Sequence, residues 1–273
     1  MALTPPAGSR SDLESPAAGC QLPRLQAGAI ALGVSPSADQ LAAFQDYREA
    51  LLTANQRTNL TAITDPAGVE VLHFVDSLTC LRSWPTAVDQ PLRIIDIGAG
   101  AGLPGLPLTV MCPALTLDSV DSVGKKTAFL THLVSTLKLD NVTVINARAE
   151  ALARDRAHRE QYDVALARAV ASLPVLLEYT LPFLRVGGRL IAQKTVGKAQ
   201  SEIAASRLAC TVLGGGPPRL FPVALAPMIR GRNHYLEEVQ QALAHRVLIV
   251  VEKEAPTPNR YPRRPGVPAR RPM

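Results

Sequence analysis

No run of eighteen apolar residues occurs in this 273-residue chain, so no membrane-crossing helix and no membrane partner are expected. Cysteine is scarce: Cys20, Cys80, Cys112 and Cys210 stand far apart, without a C-x-x-C pair and without a grouping with the five histidines. That argues against a disulfide framework or a bound metal and for reduced thiols. The first twenty residues carry Pro5, Pro6, Arg10, Asp12, Glu14 and Pro16 where a signal peptide needs an apolar stretch, so a cytoplasmic location is expected. None of the five tyrosines has a lysine four residues on, which removes the usual hydride-relay pair of a reductase. Gly124-Lys125-Lys126-Thr127 lacks the G-x-x-x-x-G-K-[ST] spacing of a nucleoside triphosphatase. Acid is missing from the C-terminus: Asn259 to Met273 holds five arginines and no Asp or Glu, and without that tail the net charge of +6 falls to +1. The basicity is therefore a property of the tail, and it favours an anionic partner.

What is present is a chain 47% hydrophobic, long enough for one full core with appendages. Residues 1–23 are rich in Pro, Ala, Gly and Ser and are expected to be disordered. A helical cap is expected over 24–84. It includes a helix opened by Ser37 with Gln40 three residues on, and another running from Asp65-Pro66 to about Arg82, stopped by Trp84-Pro85. Over 85–254 short β-branched runs alternate with amphipathic stretches, the pattern of a mostly parallel α/β sheet. Strands are predicted at Leu92–Ile97, Leu115–Val120, Val142–Ala147, Val164–Leu166, Arg189–Gln193 and Arg246–Val251. The intervening helices are predicted at Pro104–Met111, Lys125–Leu137, Glu150–Arg159, Leu173–Leu184 and Lys198–Leu208. From 255 to 273 the Pro/Arg composition predicts neither helix nor central strand.

The most informative stretch runs from Ile94 to Gly105, a buried strand feeding a glycine-rich turn and a helix. Gly100-x-Gly102-x-x-Gly105 fits the dinucleotide fingerprint, with Asp121 lying 21 residues after Gly100 as a ribose carboxylate. Asp96-x-Gly98-x-Gly100-x-Gly102 equally fits the first motif of S-adenosylmethionine (SAM) methyltransferases. The missing hydride relay, and the lack of a substrate domain after the fifth strand, favour the methyl donor.

Further blocks make the resemblance more specific. They are Asn59-Leu60-Thr61-Ala62-Ile63, His73 to Leu78, Asp96 to Gly105, Asp121 to Lys126, Arg148-Ala149-Glu150 with Tyr162-Asp163, Arg168-Ala169 and Lys194, and finally Thr257-Pro258 through Pro268. Together they resemble the bacterial 16S rRNA guanine-N7 methyltransferase family, also known as the glucose-inhibited division protein B family. Ala167 stands where that family usually has Ser, and Thr195 where it usually has Gly.

The resemblance implies a class I SAM-dependent methyltransferase with a seven-stranded sheet and a small N-terminal helical cap. It implies methyl transfer from SAM to N7 of a guanine in 16S rRNA or the small ribosomal subunit, by a protein expected to be monomeric. It places the donor across Asp96, Gly98, Gly100, Gly102 and Leu103, with the ribose near Asp121, the adenine near Ala149 and Glu150, and Arg168 completing the site. Asp118 is a weaker ribose candidate. Arg168 and Lys194 are expected to orient the substrate, with no general base assigned. Lys125, Lys126, Arg263, Arg264, Arg270 and Arg271 are expected to meet RNA phosphates. His73 and Asp76 read as a hydrogen-bonded pair fixing a helix to the core, and Cys80 and Cys112 as packing. Two other classes stay open at this point: an NAD(P)-dependent oxidoreductase, and a non-catalytic RNA-binding ribosome assembly factor.

Overall fold

Several of the apolar runs are continuous, as strands covered on both faces require. The computed structural model describes residues 21–223 and 234–273. In it the runs form β1 (Leu92–Ile97), β2 (Leu115–Asp121), β3 (Val142–Asn146), β4 (Tyr162–Arg168), β5 (Leu184–Thr195), β6 (Arg219–Pro222) and β7 (Arg246–Glu252). They make one seven-stranded sheet in the order β3-β2-β1-β4-β5-β7-β6. β1 to β5 pair in parallel, and β7 runs antiparallel to both β5 and β6. Only β6 has no counterpart in the sequence reading. It has four residues, ends in Pro222 and lies at the sheet edge, where a missing N–H interrupts no ladder.

Helix α1 (Pro23–Ala31) begins within the segment expected to be disordered, because Leu22 and Leu25 are buried; the rest of that expectation, over residues 1–20, falls outside the described residues, as does Cys20. α2 (Ala38–Thr58) opens with both halves of the Ser37–Gln40 capping box in place. Asp65 caps α3 (Pro66–Val69) by accepting from the Gly68 N–H at 2.6 Å. The chain stays helical through a wide turn at Glu70–Val75, α4 (Asp76–Leu78) and a tight turn at Thr79–Ser83, and it ends at Trp84 as expected.

These helices, with α5 (Gly105–Met111), α6 (Gly124–Thr136) and α10 (His234–Leu243), bury one face of the sheet. The other face is covered by α7 (Ala149–Leu152), α8 (Leu173–Thr180) and α9 (Val196–Leu213). The helix expected over Glu150–Arg159 stops after one turn. Asp155 accepts from the Ala157 N–H in a local turn, and Arg154 and Arg159 reach across to carbonyls of the C-terminal tail. Gly187 and Gly188 lie inside β5, where its register against β4 is irregular. A side chain at Gly188 would collide with the carbonyls of Tyr162 and Asp163. The tail contains a further short helix, α11 (Val267–Arg270), contrary to the composition-based expectation; Pro268 is tolerated in its first turn.

Strand alternation decides where the polar groups go. Ile94, Leu117, Leu166 and Ile191 face the cap-side core. Two residues further along each strand, Asp96, Ser119, Arg168 and Gln193 share that face, and Asp121 follows Ser119 at the tip of β2. Four chemically expensive side chains thus converge at the carboxyl ends of four neighbouring parallel strands.

Candidate active site

The loop after β1 needs glycine for definite reasons. Gly98, Gly100 and Gly102 have φ of 72°, 60° and 93°, in the left-handed region that side chains disfavour. A Cβ on Gly102 would also lie 2.7 Å from the Tyr47 hydroxyl, and that hydroxyl donates to the Ala101 carbonyl at 2.7 Å. The cap therefore holds the glycine loop directly. Tyr47 was not foreseen as part of the site, since at helical spacing among apolar residues it reads as core.

Asp96 lies beneath the loop, fully buried. Its Oδ2 accepts from the Gly105 N–H at 2.8 Å, while Oδ1 is buried without a partner. Burial pushes its pKa up to about 7, against the lowering pull of that hydrogen bond and of Arg168. Asp121 closes the loop from the tip of β2: Oδ2 accepts from the Gly100 N–H at 3.0 Å and Oδ1 from the Val123 N–H at 2.9 Å. Beside it a cleft is lined by Gly98, Asp121, Ser122, Ala147 to Glu150, Val170 and Tyr179. Gly98, Asp121, Ala149 and Glu150 thus meet as expected, at the carboxyl ends of β1, β2 and β3. Leu103 does not join them; it is buried in the cap-side core. Asp118 does not line the cleft either; its side chain accepts from Tyr162 at 2.5 Å and Arg93 at 3.2 Å. A roomier cavity of about 620 Å³, around Gly214 to Pro218 at the opposite end of the sheet, contains none of these groups.

Arg168 is bound to the cap through both terminal nitrogens of its guanidinium. Nη1 donates to the Leu72 carbonyl at 2.9 Å and to Asp76 Oδ2 at 3.0 Å, and Nη2 donates to His73 Nδ1 at 2.9 Å. A guanidinium has no acceptor capacity, so Nδ1 accepts in the Arg168 contact; the same nitrogen lies 3.0 Å from the Leu72 carbonyl, and Nε2 lies 2.8 Å from the Thr61 hydroxyl. Burial and the Arg168 charge lower the His73 pKa to about 4, which keeps the ring neutral. Asp76 also meets Arg246 at 3.5 Å; burial raises its pKa and both guanidiniums oppose the rise. His73 and Asp76 are therefore not a pair with each other but the two side-chain partners of Arg168.

Lys194 points to the other face, donating to the Ala171 carbonyl at 2.6 Å and pairing with Glu202 at 2.7 Å. Glu202 in turn accepts from the Leu173 N–H at 2.8 Å, so the pair fixes the loop between β4 and α8 that carries Val170 into the cleft. Within the protein, Lys194 thus holds that loop and Arg168 holds the cap.

The basic residues expected to meet RNA divide in two. Lys125, Arg264, Arg270 and Arg271 are exposed, and Lys126 is half-buried 3.9 Å from Asp121. Arg263 instead grips Glu178 on α8, a carboxylate with no exposed surface, through its backbone N–H at 2.7 Å and a guanidinium contact at 2.6 Å. A buried carboxylate demands such a partner. Glu178, the acid that directly follows the apolar run Leu173 to Leu177, is the sequence signal that could have revealed it.

A mostly parallel sheet with one antiparallel strand, a glycine loop after β1, and an acid at the tip of β2 beside a cleft define a class I SAM-dependent methyltransferase. The sequence profile of rRNA small subunit methyltransferase G matches residues 40–221. The ribosomal RNA small subunit methyltransferase G of Roseiflexus castenholzii is 46% identical over 86% of this chain and 92% of its own length. That of Chloroflexus aggregans is 44% identical over 89% and 94%, and that of Alkaliphilus metalliredigens 40% identical over 91% and 97%. The chain belongs to the rRNA small subunit methyltransferase G family.

Proposed function

We propose that this chain transfers a methyl group from SAM to N7 of a guanine in 16S rRNA, as free RNA or within the small ribosomal subunit. The observation that carries the reading is the convergence of the glycine loop, Asp121 and Glu150 on one cleft in a chain of this family. The donor fits the residues present. Asp96 offers a buried oxygen without a partner, which the donor's ammonium would satisfy, and Asp121 and Glu150 offer acceptors to ribose and adenine. When bound, SAM supplies an electrophilic methyl group.

Guanine N7 carries a lone pair and no proton, so the chemistry asks the protein for alignment and for exclusion of water, not for a base. Arg168 and Lys194 serve by fixing the cap helix and the Val170 loop on either side of the cleft. The exposed Lys125, Arg264, Arg270 and Arg271 engage RNA phosphates, for which the planar guanidinium is suited. Among the described residues no helix is long and apolar enough to cross a membrane. The protein acts in the cytoplasm as a monomer on this reading.

Titration calorimetry with SAM, S-adenosylhomocysteine and NAD(P) tests the donor. Micromolar binding of the first two is expected; binding of NAD(P) alone would return the oxidoreductase reading.

A further inference from the structure

The chain after β7 is drawn across the molecule by successive polar attachments. Lys253, almost fully buried, donates to the carbonyls of Leu181 at 2.9 Å and Leu213 at 3.2 Å, and to the Thr257 hydroxyl. Arg159 donates to the carbonyls of Thr257 at 2.7 Å and Tyr261 at 2.9 Å, and Arg154 to that of Pro262 at 2.5 Å. Arg263 then fastens to Glu178 on α8. The last attachment is the Gly266 N–H, which donates to Glu150 Oε1 at 2.7 Å.

Glu150 is 3% exposed and lines the cleft, so its carboxylate cannot be satisfied by bulk water there. The group that orients it is a backbone N–H, presented by a residue at φ 79°. Its position is therefore set by the path of the strap and not by a side-chain rotamer. Tyr179, facing the same cleft, feels the same carboxylate: burial raises its pKa and the Glu150 charge adds to the rise. Meanwhile Arg264, Arg270 and Arg271 stay exposed on the strap's outer side.

We infer that the C-terminal strap is a positioning element of the donor cleft, acting through the Gly266–Glu150 hydrogen bond and fastened by the Arg263–Glu178 ion pair. The inference rests on the reading that this cleft takes the donor's adenosine. The strap then has two sides with two tasks, the inner one shaping the donor site and the outer one meeting RNA.

The test uses SAM affinity measured by calorimetry without RNA, alongside the melting temperature. A chain ending at Pro265 keeps the Arg263 fastening and loses the Glu150 donor. Its SAM dissociation constant is expected to rise about tenfold, the worth of one hydrogen bond to a charged group. Glu150→Ala should cost about as much in the full-length chain and almost nothing more in the shortened one, because a pair acting as a unit is non-additive. Should the shortened chain fail to fold, Gly266→Val in the full-length protein serves instead. It has room, since an added Cβ comes no closer than 3.8 Å to the Arg270 side chain, but it disfavours the left-handed backbone that presents the N–H. Unchanged SAM affinity in these variants, or fully additive losses with Glu150→Ala, would overturn the inference. Failure of the unmodified protein to bind SAM would overturn the donor reading and this inference with it.

Discussion

Asp96 provides the sharpest handle on the donor site. Its carboxyl is buried with one oxygen unpartnered and a pKa near 7, so the protein without its donor holds it half protonated at neutral pH. On the proposed reading, a donor ammonium binds the ionised form. The ionised fraction falls about fivefold from pH 7 to 6 and about tenfold more from pH 6 to 5, and so should SAM affinity, by roughly fiftyfold between pH 7 and 5. Above about pH 8 the donor's own α-amino group begins to lose its proton and affinity should decline again, giving a bell.

The same group acts on stability with a definite sign. A carboxyl whose folded pKa is raised from 3.8 to about 7 contributes stability that is full below 3.8 and is lost as pH rises to 7. Between pH 5 and 8 that loss is about 2–3 kcal/mol. His73 works the other way. Its pKa is lowered from 6.5 to about 4, so its contribution is present above 6.5 and lost as pH falls toward 4. Glu70 and Asp76, also raised by burial, act with the sign of Asp96, so the informative quantity is the difference between the unmodified protein and Asp96→Asn. Urea denaturation without SAM should find Asp96→Asn gaining about 2–3 kcal/mol relative to the unmodified protein on going from pH 5 to 8, while its SAM affinity is weak and insensitive to pH between 5 and 7. SAM affinity of the unmodified protein that stays constant from pH 5.5 to 7.5 would refute this reasoning.

Gly100→Asp should remain folded at a cost of about 1 kcal/mol, because Asp tolerates the left-handed φ of 60° better than most side chains and an added Cβ meets only the Gly98 carbonyl, at 3.8 Å; it puts a second carboxylate beside Asp121 and should weaken SAM binding at least tenfold by calorimetry. Arg168→Lys should destabilise the protein by about 2–3 kcal/mol in urea denaturation, since one ammonium cannot reach Leu72, His73 and Asp76 as the planar fork does. An unchanged midpoint would mean that charge alone suffices there. Replacing Arg264, Arg270 and Arg271 together with Ala should lower the log–log salt slope of RNA affinity by about 2, as three single-strand phosphate contacts imply, and an unaltered slope would remove these residues from the interface.

The parts of this fold that obey local rules were legible. Ser37 with Gln40, Asp65-Pro66, and the apolar runs of six strands encode their elements through short-range capping and period-two burial. The glycine loop was legible for the same reason, since positive φ is a local demand. What escaped was set by distant contacts. The region after Leu152 leaves the helix because Arg154 and Arg159 serve carbonyls about a hundred residues away. Arg263 reads as one more solvent-facing cation until Glu178 is seen to be buried beside it. His73 and Asp76 lie three apart and suggest each other, yet both answer Arg168, more than ninety residues on. Charge pairing across such separations leaves no periodic trace in a sequence.

The central claim is met most directly by the product. Small subunits, or their RNA, from cells lacking this enzyme are incubated with the purified protein and SAM labelled in its methyl group, and the RNA is digested to nucleosides. The account predicts label in N7-methylguanosine of 16S rRNA, at about one methyl per molecule, and none with Gly100→Asp. Label in another nucleoside or in a ribosomal protein, or no transfer by a protein that binds SAM, would contradict it.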